Sequence, residues 1–78
     1  MKVEIIFITN NNTLLATGDH EFKVHIYRKP EGLFLLNQTI SLTFKIQDLR
    51  ITNDNLVVVG ISSEIVFYKF NGTYYDYF

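Results

Sequence analysis

The apolar residues of this chain fall into short runs separated by polar punctuation. Turn-forming clusters stand at Asn10-Asn11-Asn12, Gly18-Asp19, Pro30-Glu31-Gly32, Asn53-Asp54-Asn55, Gly60 and Asn71-Gly72. These residue types set turns through a positive φ, a fixed φ or a side-chain hydrogen bond. Between them the pattern predicts eight strands, at 3–9, 14–18, 23–28, 33–40, 46–52, 56–61, 64–70 and 73–77. No long stretch keeps a helical period. Connections of a few residues force antiparallel neighbours, because a parallel pair needs a long crossover. Two runs, Leu56 to Ile61 and Ile65 to Tyr68, are continuous rather than alternating. That predicts strands covered on both faces.

Composition agrees. Ile, Val and Thr supply 22 residues, Phe and Tyr another 12, and there is a single Ala. This mixture favours pleated strands over helices. At 78 residues the chain is one domain at most. It is too apolar for disorder, and its net charge of −1 lacks the basic excess that nucleic-acid binding needs. With no cysteine there is no disulfide framework, thiolate zinc site or Cys nucleophile. The longest apolar runs are far shorter than a spanning helix, so no membrane association is expected. Glu4 and the early strand pattern argue against a secretory signal, which makes an intracellular, soluble and by default cytoplasmic setting the expectation. Asn11, Asn37 and Asn71 begin N-x-T sequons, but Asn with Thr is also ordinary turn chemistry.

The chain also repeats itself. Ile8-Thr9-Asn10 recurs as Ile51-Thr52-Asn53, Leu14 to Gly18 as Leu56 to Gly60, and Val24 to Arg28 as Ile65 to Lys69. The successive offsets are 43, 42 and 41 residues, and Gly32 to Gly72 gives 40. A period of ~40 residues with four strands per unit is that of a propeller blade.

Leu14-Leu15-Ala16-Thr17-Gly18, followed after eight residues by Tyr27, resembles a repeat of the WD-repeat β-propeller family, as does the preceding Val3-x-x-Ile6-x-Ile8. The resemblance covers nearly the whole chain as two consecutive units. It implies an all-β partial propeller of two four-stranded antiparallel blades, 1–42 and 43–78. Where the family closes its third strand with Trp-Asp, this chain has Tyr27-Arg28 and Tyr68-Lys69. Glu21 stands where the family's tight-turn Asp is expected, and Ser63 stands there in the second unit. The Gly-His dipeptide expected before Lys45 is missing. Two blades cannot close a ring, because propellers have ~4–8 and repeat units need neighbours. The implied partner is protein: further copies closing a ring, or a larger complex.

Chemistry-bearing residues are sparse. His20 and His25 flank Glu21, but positions five apart on a strand face opposite ways, so no metal site is expected. Ser62-Ser63 lacks a nucleophile elbow, and the glycines at 18, 32, 60 and 72 read as one per turn rather than as a phosphate loop. No catalytic residue and no cofactor are expected. The aromatic cluster Phe67 to Phe78 reads chiefly as sheet-interface packing. By the resemblance, the turn after the second strand and the link into the next first strand lie on one partner-binding face. The candidates there are His20, Glu21, Phe22 and Lys45, with Ser63 and Glu64 from the second unit. The favoured expectation is a non-catalytic interaction module or scaffold. The alternative is a small all-β barrel or sandwich that holds an apolar or aromatic ligand.

Overall fold

The computed structural model describes residues 5–29, 31–52, 56–62 and 64–77. The sequence readings placed on Val3, Pro30, Asn53, Asp54, Asn55, Ser63 and Phe78 lie outside the described residues. Among the described residues eight strands follow one another: β1 (Ile5–Asn10), β2 (Leu14–Asp19), β3 (Lys23–Arg28), β4 (Leu35–Ser41), β5 (Asp48–Ile51), β6 (Val57–Ile61), β7 (Glu64–Phe70) and β8 (Tyr75–Tyr77). They make two separate four-stranded antiparallel sheets, ordered β1-β2-β3-β4 and β5-β6-β7-β8. The described residues contain no helix, hence none long and apolar enough to cross a membrane. The described strands form two sheets rather than one closed barrel.

Asparagine sets two of the hairpins. Asn11 Oδ1 accepts from the Thr13 and Leu14 amides, both at 2.9 Å, and the Asn11 amide donates to Leu14 O. Asn71 repeats the arrangement with the Thr73 and Tyr74 amides and Tyr74 O. Two of the sequon asparagines are thus built into Asx turns. Gly32 and Gly72 have φ of +88° and +106°, as turn glycines should. Gly18 and Gly60 correct the expectation of one glycine per turn: both lie inside strands. At Gly18 the reason is space, because an added Cβ would sit 3.1 Å from Ile46 Cδ1.

The sheets pack face to face. From the first come Leu14, Ala16, Val24, Ile26 and Ile40; from the second come Leu49, Val57, Val59, Val66 and Tyr75; and Ile46 comes from the link between them. β5 packs on β1 and β2. The Arg28 guanidinium of β3 sits 3.8 Å above the Phe70 ring of β7. Gln38 of β4 clamps the Tyr75 backbone of β8, donating through Nε2 to the carbonyl at 2.9 Å and accepting the amide at 2.6 Å. A bulge, with Asn37 as the extra residue, gives Gln38 and Leu36 their separate partners on β3.

The register refines the repeat. Gly18 pairs with Val24 and Thr17 with His25; Gly60 pairs with Ile65 and Val59 with Val66. The β2–β3 and β6–β7 hairpins therefore match residue for residue at the offsets of 42 and 41. The first strands do not follow the Ile-Thr-Asn match. Ile8 pairs with Thr17, and the residue that pairs with Val59 is Leu49, so Ile8 corresponds to Leu49 and not to Ile51.

The expected two-sided burial is absent from β6 and β7. Val57, Val59, Ile61 and Val66 face the first sheet, while Ile65 and Phe67 are exposed and Val58 is half-buried on the outer face. Within this chain one layer covers only one side of the second sheet.

Candidate functional site

The β2–β3 turn, the β4–β5 link and the start of β7 belong to one rim. The Leu42 amide donates to Phe22 O at 2.8 Å, which ties the link to the turn. The Gln47 amide donates to Gly60 O at 2.7 Å, and Ile46 rests on Gly18. His20 and Glu21 are exposed in the turn, Lys45 is exposed in the link beside Phe44, and Glu64 opens β7 opposite Ile61. Phe22 is drawn against the link through its backbone carbonyl. Ser63 lies outside the described residues.

Phe22 is 39% exposed and has φ of +65°. For a bulky L-residue this left-handed conformation is an outlier that costs ~1–2 kcal/mol. The turn would accept glycine here at lower cost. Instead it presents an aromatic ring at the rim.

Asp19 closes the turn, with Glu21 contributing its backbone amide as a donor. Its Oδ1 accepts from the Glu21 amide at 2.8 Å and the Lys23 amide at 3.1 Å. Its Oδ2 takes the His25 Nε2 at 3.0 Å. A carboxylate only accepts, so Nε2 carries the hydrogen, and in the neutral ring Nδ1 accepts from Thr39 Oγ1 at 3.1 Å. The Asp19 side chain is 2% exposed. Burial pushes its pKa up, but the His25 hydrogen bond, the two amides and the His25 charge together hold it below the ordinary carboxylate value. The signal was present in the sequence, since an Asp two and four residues before turn amides is an Asx pattern. His25 is thus committed to Asp19 and Thr39, while His20 lies exposed in the turn. Among the described residues no three His, Asp or Glu side chains converge as metal ligands would.

The outer sheet faces are the other notable surfaces. On the second sheet, Val58, Gly60, Ile65, Asp48 and Arg50 line a shallow hollow of about 130 Å³. On the first sheet, Ile8 and Leu36 are exposed on either side of the Asp19–His25–Thr39 cluster. At the opposite rim an open polar groove of about 280 Å³ is lined by Thr13, Arg28, Lys29 and Asn37. Its Arg28 is already stacked on Phe70 and its Lys29 lies over Phe34 at 5.2 Å. Burial also raises the hydroxyl pKa of Tyr68, with Tyr77 adding to the effect; at Tyr75 burial raises it against the opposing charge of Arg28.

Comparison with known proteins finds no matching family model, no matching curated protein and no matching solved structure.

Proposed function

We propose that the chain is a non-catalytic protein-interaction module: two divergent WD-type propeller blades that join a larger ring or complex. One observation carries the reading. Val24 and Ile26 are 0% exposed between the sheets, whereas the residues that match them in register, Ile65 and Phe67, are 63% and 38% exposed. The second sheet thus leaves open an apolar strip of Val58, Ile65 and Phe67, of the kind the first sheet already buries, flanked by Asp48 and Arg50 on β5 and by Lys69 and Asp76 toward β8. Like-on-like stacking of two meanders, with β1 by β5 and β4 by β8, is what consecutive blades do. Soluble monomers rarely leave a large contiguous apolar patch open, and such patches mark interaction surfaces. The turn rim, with Phe22 held in its left-handed conformation, adds a second contact region beside that face.

The test uses dilute wild-type protein and the double variant Ile65→Lys/Phe67→Lys. The apolar dye bis-ANS is expected to bind the wild type, and the double variant is expected to lose most of that fluorescence with unchanged far-ultraviolet circular dichroism. Equal dye binding by the two folded proteins overturns the reading.

A further inference from the structure

The contact between the two sheets is head-to-tail. The face of the first sheet that carries Ala16, Gly18, Val24 and Ile26 is the one buried inside the molecule. Its register counterpart on the second sheet, carrying Val58, Gly60, Ile65 and Phe67, points outward. Conversely, the second sheet buries Leu49, Val57, Val59 and Val66. Their counterparts Ile8, Leu15, Thr17 and His25 lie on the outer face of the first sheet. The molecule already joins a face of the first kind to a face of the second kind, and leaves one of each unused at its two ends.

We infer that a second copy of this chain docks head-to-tail, laying the outer face of its first sheet on the outer face of the second sheet. This rests on the interaction-module reading and names its partner. Three features support it. The first is the hollow over Gly60. At the matching Gly18, the absence of a side chain admits Ile46, whose Cδ1 and Cγ2 lie 3.1 and 3.6 Å from an added Cβ. The hollow over Gly60 is the same cradle left open, with room for an aliphatic side chain of the incoming copy. The second is size. The molecule is a slab of 34 × 31 × 18 Å. Its broad face is large enough for the ~800 Å² per partner that a stable interface buries.

The third is the chemistry of the incoming face. Ile8, Leu15, Tyr27 and Leu36 occupy the positions of Leu49, Val57, Tyr68 and Tyr77, so apolar character is kept there. Asp19 and His25 stand where the second sheet has Ile61 and Val66. Asp19 accepts from His25 and from the Glu21 and Lys23 amides, and His25 also pairs with Thr39, so both side chains keep hydrogen-bond partners when the face is covered. The intermolecular contact is correspondingly more polar than the internal one and depends on concentration. Because it uses two different faces, it does not stop at two copies. It continues into a ring or a filament.

The experiment compares wild type, Phe67→Lys and Ile8→Lys by analytical ultracentrifugation from about 1 to about 200 µM. Wild type is expected to grow beyond a dimer as concentration rises. Each variant blocks one end and is expected to weaken association at least about tenfold. Mixing the two variants leaves one intact pair of faces and is expected to restore a 1:1 dimer that grows no further. Its recovery also shows that both variants fold. Wild type that stays monomeric throughout overturns the second copy as occupant, while dye bound at Ile65 and Phe67 would keep the module reading intact. A dimer that survives Ile8→Lys overturns the head-to-tail geometry in favour of a symmetric contact, and so does a mixture that fails to pair.

Discussion

Replacing each strand glycine by alanine is expected to move stability in opposite directions. At Gly18 the new Cβ would lie 3.1 Å from Ile46 Cδ1, 3.6 Å from Ile46 Cγ2 and 3.6 Å from Phe7 Cβ. Ile46 is 1% exposed and β-branched, so its χ1 has little freedom to yield. Overpacking of this kind costs ~1–2 kcal/mol at the low end of its range, and the lowered entropy of the unfolded chain returns ~0.5 kcal/mol. Gly18→Ala is therefore expected to destabilise by about 1 kcal/mol, or about 4–8 °C in Tm for a domain of this size. At Gly60 the new Cβ meets Asp48 Cβ at 3.4 Å and Asp48 N at 3.6 Å, ordinary contacts. There only the entropic gain remains, and Gly60→Ala is expected to stabilise by ~0.5 kcal/mol. Urea denaturation of dilute protein, followed by tyrosine fluorescence and circular dichroism, measures both. The cycle is completed with Ile46→Val, which removes Cδ1. Alone it should cost ~1 kcal/mol, but combined with Gly18→Ala it should cost less than the sum, with a coupling of at least ~0.5 kcal/mol. Additive effects, or equal shifts at the two glycines, would refute the stacking of the link on the first sheet.

Other residues give further tests. Asp19→Ala removes the acceptor for two turn amides and for His25, and should cost ~2–3 kcal/mol in chemical denaturation. The depressed pKa of Asp19 fixes the sign of its pH dependence: the stabilisation is fully present above the unfolded carboxylate value near ~4 and is lost as pH falls through the lower folded value. The stability of wild type should therefore fall more steeply in acid than that of Asp19→Asn, and parallel curves would count against a lowered Asp19 carboxyl. Phe22→Gly relieves the left-handed strain and should leave Tm unchanged or raise it by the equivalent of ~1 kcal/mol; a large loss would mean that the ring is held by the core. Gln38→Ala strips both hydrogen bonds from the Tyr75 backbone and should cost ~1–2 kcal/mol, with faster amide exchange at Tyr75 as its signature.

The strands were legible because local chemistry settles them. Clusters such as Asn10-Asn11-Asn12 and Asn71-Gly72 stop one run and start the next, and β2, β3 and β7 lie within a residue of where the pattern puts them. Other features depend on contacts that one sequence does not display. A glycine in a strand looks like a glycine in a turn until Ile46 is seen lying over Gly18. The spacing of Asp19 before the Glu21 and Lys23 amides is visible in the sequence, but its pairing with the His25 ring needs the hairpin that brings β2 beside β3. Matching Ile8-Thr9-Asn10 to Ile51-Thr52-Asn53 compares letters, whereas hydrogen bonding places Leu49 opposite the partner that counts. Continuous apolarity in Ile65 to Tyr68 suits a strand covered on both sides, and a lone chain supplies a cover for one side only.

Among the described residues every hydrogen-bonded strand pair joins neighbours along the chain, from β1 with β2 to β7 with β8. Each sheet can thus zip up hairpin by hairpin, closing only short loops. A low contact order of this kind places folding at the fast end of the range for β proteins, well ahead of interleaved sandwich topologies. An order in which sheet docking follows local pairing predicts that core substitutions at Leu49 or Val57 accelerate unfolding far more than they slow refolding.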